Sequence, residues 1–515
     1  LWSPRRLRFD YSAVAFAPPS GRPAQPQARE FLITSGKVFP PQNSQFDPGA
    51  GLSRIPPLYR RVDPLRLPSV LQLDKMIVGF ERETNGPNRG LWRQVVRVFY
   101  ASPFLTKDSR DDRPRAEALC EQFLKIHTLT RAGLGLANLY ANDGVTTLWL
   151  AEVSSWWPLD DEDPAIRAAL PPLTKINTPL SPQDKPEIRE IENTPLWQPW
   201  RVAGQINPAP GEITFFKMSE PRPESEWVRE AAHEYGHVAL PPFDGFRPPL
   251  EPYANGLMGE TLAMLWAAAT PDSFVTQSAS GSITMVSGAA PSALATGFAG
   301  HVAREAIPAL RLWNAQGPYS PLRRDGTNEG LRYLQGLAVY VERVYGANIF
   351  GATLRPLAAR SKFPGDRPAP STSLNAESLL GSLPGALRDP FGATRVLPIW
   401  LPGAVATAAP GGTTPIIKRE PLRLRGRERV SCWLFIPPTA AELNVEWRDA
   451  RSSGTAGTLA ALKIEGGRKT LPAPALSNAS KRERVDVSGF SGWQRFTLTP
   501  SVDLLLTGAS FTRRR

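Results

Sequence analysis

The chain has little of what would place it in several common classes. Two cysteines in 515 residues, Cys120 and Cys432, cannot build a disulfide framework; they fall in different expected domains, so one bridge at most is open to them. No uninterrupted apolar run approaches the roughly 20 residues of a membrane span, so no transmembrane segment is expected. The longest candidate, 257–269, is short and carries Glu260. The net charge is +12, yet arginine is scattered (Arg5, Arg6, Arg60, Arg61, Arg323, Arg324, Arg513) with no nucleic-acid-binding module around any cluster. A solvated basic surface is expected and a nucleic acid partner is not, while association with acidic cell-envelope polymers stays compatible. The first methionine is Met76, which gives the expectation of a removed leader and a secreted or cell-surface protein. Histidine is scarcest of all, with four: His127, His233, His237 and His301.

Two of the four stand together. Ala231–Leu240 reads Ala-Ala-His-Glu-Tyr-Gly-His-Val-Ala-Leu, setting His233 and His237 four positions apart with Glu234 between them. On a helix, positions i and i+4 lie one turn apart on the same face, so both imidazoles reach one metal ion and Glu234 lies about 100° round beside it. The flanks predict that helix. Pro223 suits a first helical position, Glu224 and Glu226 put negative charge in the first turn, and Trp227, Val228, Ala231, Tyr235 and Val238 recur near helical period. Pro241 and Pro242 end it. His-Glu-x-x-His is half of a zinc site, and it arises by chance in roughly one chain in a hundred of this length.

A catalytic zinc takes a third protein ligand and leaves a position for water. The metzincin continuation needs Gly and then His or Asp where this chain has Leu240 and Phe243; Asp244 falls one place late. Glu260 follows His237 by 23 positions (260 − 237), in an apolar helix expected over 256–269 with Asn255 as its cap. A lone carboxylate there is costly to bury without a partner, and a metal supplies one. Glu251 is the reserve, at 14 positions (251 − 237). On His233, Glu234, His237 and Glu260, and on the order of strand, metal helix, ligand helix and later helices over about 145–360, the chain resembles the gluzincins, the thermolysin-like and aminopeptidase-like clan of zinc peptidases. It departs at Met264, where thermolysin-like enzymes carry Asp, and it has no Gly-Ala-Met-Glu-Asn-like stretch, so aminopeptidase action is not implied.

The resemblance implies Zn2+ held by His233, His237 and Glu260, with Glu234 as the general base that moves a proton from water to the leaving amine. Tyr253, His301, Arg304, Tyr333 and Tyr340 are candidates for stabilising the oxyanion, and the sequence does not choose among them. The leading expectation is an exported zinc metalloendopeptidase acting on peptide or protein substrates. Its competitor is a structural or adhesive component of an extracellular assembly built on a zincin fold.

The expected fold is α+β in four parts. Residues 1–67 form a Pro/Arg-rich extended arm that packs across the domain or against partner chains, 68–360 a zincin-like domain of small sheet, metal helix and helical subdomain, and 361–415 a Pro/Gly-rich linker. Residues 416–515 form an antiparallel, jelly-roll-like β-sandwich suited to carbohydrate, cell-envelope polymer or partner chains. Strands are predicted at 94–100, 145–153 and 211–219, the last with an open edge for an extended peptide. Helices are predicted at 114–130, with His127 on a helix face rather than as a ligand, at 293–313 with a split at Pro308, at 328–345, and briefly at 376–380. In the last part, strands are predicted at 421–424, 429–436, 442–447, 459–464, 484–487, 494–498 and 504–511.

Overall fold

In the computed structural model, the described residues are 4–10, 28–36, 75–84, 86–100, 102–103, 110–136, 145–150, 204–206, 212–215, 223–246, 254–270, 291–360, 374–391, 395–401, 414–417, 421–450, 462–466, 469–471 and 481–513. Glu251 and Tyr253 lie outside them. The first described residues already belong to a sheet. Arg5–Asp10 (β1) alternates charged with apolar side chains, and Ala28–Ser35 (β2) buries Phe31 and Ile33 on one face, the two-residue period of a half-covered strand. They lead into Lys75–Arg82 (β3) and Trp92–Tyr100 (β4), followed by Thr146–Leu150 (β5), Gly204–Ile206 (β6) and Glu212–Phe215 (β7). The spatial order is β1-β2-β3-β4-β5-β7-β6. Neighbours are antiparallel from β1 to β4, parallel across β4-β5-β7, and antiparallel again at β6. Two expectations change. The described strands of the arm are part of this sheet, and the edge of β7 is taken by β6, with Gly204 opposite Phe215, so the sheet ends on β6.

Helix Arg113–Thr128 (α1) lies on this sheet, and Gly79 makes the approach possible: a Cβ there would stand 2.8 Å from Cys120 Sγ. Arg5 ties β1 to the helix by donating to Glu121 at 2.8 Å, and Lys125 closes the same carboxylate at 2.7 Å. Cys120 and Cys432 are both free and buried, so the one possible bridge is absent, and burial pushes both thiols up, Cys432 to about 12.

The helical region follows as Glu224–Ala239 (α2), Asn255–Ala269 (α3), Pro291–His301 (α4), Ile307–Gln316 (α5), Asn328–Tyr345 (α6), Ala347–Arg360 (α7) and Ala376–Ala386 (α8). A π-helical turn, Val302–Ala306, separates α4 from α5, so the split falls just ahead of Pro308, whose missing N–H costs nothing in a first turn. The α2–α3 pair is unusually close because glycine faces backbone. A Cβ on Gly259 would come within 2.7 Å of Gly236 Cα, and one on Gly236 within 2.4 Å of the Asn255 carbonyl oxygen.

Val396–Ile399 (β8), Leu422–Leu424 (β9), Val430–Ile436 (β10), Ala440–Asp449 (β11), Leu462–Gly466 (β12), Lys469–Leu471 (β13), Lys481–Asp486 (β14), Gly492–Pro500 (β15) and Leu504–Arg513 (β16) complete the chain. They form two sheets, β10-β15-β12-β13 and β14-β11-β16-β8, with β9 also on β16 and every pairing antiparallel. The stretch read as a linker thus supplies β8 to a sheet and α8, with Leu379 and Leu383 buried, to the helices. Helical side chains satisfy the outer edge of β10: Asn314 Nδ2 donates to the Ser431 carbonyl at 3.0 Å, and Tyr345 Oη accepts from Phe435 N at 2.6 Å. The chain is mixed helix and sheet, as expected for α+β, and no described helix is long and apolar enough to cross a membrane.

Candidate metal centre

Helix α2 begins after Pro223, whose extended backbone (φ −55°, ψ 144°) leads into the first turn, and it ends at the extended Leu240 before the proline pair. One face carries Trp227, Val228, Ala231 and Tyr235 into the core. Tyr235 meets Phe123 edge-on and lies 2.8 Å, Oη to Nδ1, from His127 on α1. Burial pushes that imidazole down to about 4, so His127 is a neutral packing partner of the helix, as its position on a helix face implied.

The other face carries the motif. His233 and His237 meet edge to face with ring centroids 5.1 Å apart at 78°, and Glu234, between them in sequence, is buried. Each ring is held at Nδ1. His233 Nδ1 lies 2.8 Å from Glu260 Oε2, and His237 Nδ1 lies 2.8 Å from Asn255 Oδ1. These partners fix the tautomers. Burial alone would raise the Glu260 carboxyl, but the hydrogen bond from His233 and the charges of His233, Arg229 and His301 outweigh it and hold the group below its ordinary range, so it accepts. The Asn255 amide nitrogen donates to the Leu240 carbonyl at 3.1 Å, which turns its oxygen to His237. Both rings therefore donate from Nδ1. Both Nε2 atoms lie close to Gly256 on α3. A Cβ built on Gly256 would lie 2.5 Å from His237 Nε2 and 2.8 Å from His233 Nε2.

Asn255 was expected as a cap. Ala254 occupies that position instead, and the Asn255 side chain, in the first turn of α3, serves the metal helix. Glu260 joins the site from α3, but on the Nδ1 side of His233, across the ring from Nε2. Its carboxylate also takes Arg229 Nη1 at 3.0 Å and faces His301 Nε2 at 3.3 Å. Arg229 reaches Glu226 and Glu230 as well. Among the described residues, no three His, Cys, Asp or Glu side chains are arranged around one ion. The described residues thus bring His233, His237 and Glu260 together without forming a three-ligand set, and Glu260 meets His233 at Nδ1.

Of the proposed oxyanion stabilisers among the described residues, the structure brings only His301 to this cluster. Burial lowers its pKa against the pull of Glu260. Tyr340 lies in an aromatic seam against Trp313 (4.0 Å) and Trp493 (6.1 Å) at the sandwich, Tyr333 donates to the Gly317 carbonyl at 2.7 Å, and Arg304 is exposed on the π turn. Asp244 is bound through its backbone N–H to Leu374. The sequence reading missed Arg229, Asn255 and Gly256. The available signal was Asn-Gly opening an apolar helix that had to pack on the motif helix. Compared with protein-family models, with curated proteins and with solved structures, the chain gave no match in any of the three.

Proposed function

We propose that the chain is a zinc-dependent metalloendopeptidase in which His233 and His237 hold the ion through Nε2 and Glu234 is the general base. The observation that carries this reading is that Glu260 and Asn255, both on α3, anchor His233 and His237 of the His-Glu-x-x-His motif through Nδ1 and so fix the orientation of both rings. A carboxylate behind a metal-binding histidine raises the ring's basicity and fixes its orientation, the part taken here by Glu260. Zinc held by these histidines would supply Lewis acidity to a scissile carbonyl and to water. Glu234, buried, would take a proton from the attacking water and return it to the leaving amine. His301, 3.3 Å from Glu260, is the candidate to donate to the developing oxyanion. Export remains part of the proposal on the sequence reading alone.

The test is cleavage of an unfolded protein substrate by the wild type and by Glu234→Gln, before and after chelation. The wild type is expected to cleave, lose activity with a chelator and regain it with zinc, and Glu234→Gln to be slower by about 10²-fold or more. No cleavage by the wild type, or equal cleavage by both, contradicts the reading. One observation favours the competing role of a structural or adhesive component: Glu260 already takes Arg229 and His233 and faces His301, a closed cluster that clamps α2, α3 and α4 without a metal. On that reading the protein folds identically, carries no zinc and cleaves nothing.

A further inference from the structure

We propose that the turn leading from β9 into β10, with the arginines on and around it, binds a linear acidic polysaccharide. The inference stands on the C-terminal sheets and is independent of the metal reading. Residues 421–431 read Pro-Leu-Arg-Leu-Arg-Gly-Arg-Glu-Arg-Val-Ser, which sets Arg423, Arg425, Arg427 and Arg429 at alternate positions. All four are exposed, while Leu422, Leu424 and Val430 are buried. That is the alternation of a strand with one covered face, and it spaces successive arginines by about 7 Å where the chain is extended. Strand pairing widens the array. Leu505 on β16 stands opposite both Arg423 of β9 and Arg448 of β11, so the exposed Arg448 shares the face of Arg423 two strands, or about 10 Å, away. Within 421–431 four arginines meet Glu428 alone, a local charge of +3 (4 − 1).

The turn separates what the fold needs from what the side chains offer. The Arg425 carbonyl accepts from Glu428 N at 3.1 Å, closing a β-turn in which Arg427 has φ 67°, a position that favours glycine or asparagine. Glycine stands one place earlier and is committed there, because a Cβ on Gly426 would lie 2.9 Å from Val502 Cα. The neighbouring loop holds the turn down. Asp503 accepts from Gly426 N at 2.9 Å and from Arg423 Nη2 at 2.8 Å, and the Pro500 carbonyl accepts from Arg427 N at 2.7 Å. At 427 these bonds use backbone only, and among the described residues the Arg427 guanidinium has no acceptor. The fold requires a left-handed residue at 427 but makes no use of its side chain, so a guanidinium held on a strained backbone is there for an outside partner. Guanidinium forks take sulfate and carboxylate oxygens in pairs. A regular row of them fits a chain that repeats its charge rather than one small anion. Residues 421–431 contain no aromatic side chain on which bases could stack, which favours a sugar polymer over a nucleic acid.

The experiment titrates the full chain with heparin, which carries sulfate, with polygalacturonate, which carries only carboxylate, and with neutral dextran. The wild type is expected to bind one or both acidic polymers, more weakly as salt rises, and not dextran. Which of the two it binds assigns sulfate, carboxylate or both. Arg425→Ala/Arg427→Gly is expected to bind about tenfold more weakly or worse, with an unfolding temperature unchanged or raised because glycine relieves the strained position. The control Arg89→Ala/Arg332→Ala removes the same charge from two other exposed positions and is expected to bind as the wild type does. Equal weakening in the two double variants overturns the site, and so does a wild type that binds neither acidic polymer or binds dextran equally. Random-sequence duplex DNA bound more tightly than either polymer overturns the polysaccharide. Should the double variant at the turn fail to fold, Arg427→Asn, which suits the positive φ, is read in the same titration, and wild-type affinity there overturns the proposal.

Discussion

Two buried carboxylates surrounded by arginine and histidine behave in opposite ways. Glu81, on β3, is 3% exposed and sits among Arg29 at 3.3 Å, Arg93 at 3.1 Å and Arg131 at 3.2 Å. Burial still dominates, and with Glu83 adding like charge, its carboxyl is pushed up. Glu260, on α3, is 5% exposed and has one arginine, yet its carboxyl is pulled below the ordinary range against the same burial penalty. Among the causes that lower Glu260, the largest is the hydrogen bond from His233, while Glu81 also has the like charge of Glu83 beside it. A surrounding of guanidinium groups that are themselves partly in water screens weakly, while a short bond inside a closed helix pair acts at low dielectric. Glu81 is a node among arginines; Glu260 joins the motif through His233 and also takes Arg229 and faces His301.

The largest effect that tests this contrast is on stability. Glu260→Leu leaves Arg229 and His233 without their buried partner and is expected to destabilise by roughly 3–5 kcal/mol. Glu81→Leu leaves arginines that still reach Glu83 and water, and is expected to cost about 1–2 kcal/mol in the same urea titration. Equal costs would break the comparison. Next comes zinc affinity. Asn255→Leu removes the acceptor that fixes the His237 tautomer and is expected to weaken zinc binding by about 10–100-fold, while substitutions at Glu81 leave it unchanged, both read by competition with a chelating dye.

The pH dependence of the metal-free protein is a smaller and sharper test. The folded Glu260 has a pKa below its unfolded value, so its contribution is present above the unfolded pKa and is lost as pH falls through the lowered one. Glu260→Gln should flatten the acid limb of a plot of unfolding temperature against pH. For Glu81 the sign reverses. Its folded pKa lies above the unfolded value, so stability falls as pH rises from the unfolded pKa through the raised one, and Glu81→Gln should remove that fall. This is the smallest expected change, and identical profiles for the two variants would contradict the assignment of opposite environments.

The motif helix was legible because its signals agree: charge at the start, an apolar stripe, two prolines at the end, and observed bounds of Glu224–Ala239. The C-terminal strands were legible for a similar reason, since short alternating runs between turn residues have few other solutions; β13, three residues long, and β8, in the stretch read as a linker, were missed. Other elements carried contradictory local cues. Arg5–Asp10 is half arginine and reads as solvated chain until Phe9 is paired across to β2, and α7 contains Pro356, which argues against a helix locally although Phe350, Leu354 and Leu357 bury its inner face. At the site, sequence spacing brought Glu260 into the cluster but could not say which nitrogen of His233 it would meet. That depends on the glycine-permitted closeness of α2 and α3, a property of two segments together. Asn255 looked like a cap for the same reason: the preference for Asn near a helix start is local, and its contact with His237 is not.

The central claim, that His233 and His237 are built to hold a metal through Nε2, is tested most directly by the zinc content of the purified chain after dialysis against low zinc. The account predicts about one zinc per chain for the wild type and for Glu234→Gln, and loss of that zinc in His233→Ala and His237→Ala with the fold retained. A wild type without zinc, or histidine variants that bind it as the wild type does, would contradict it.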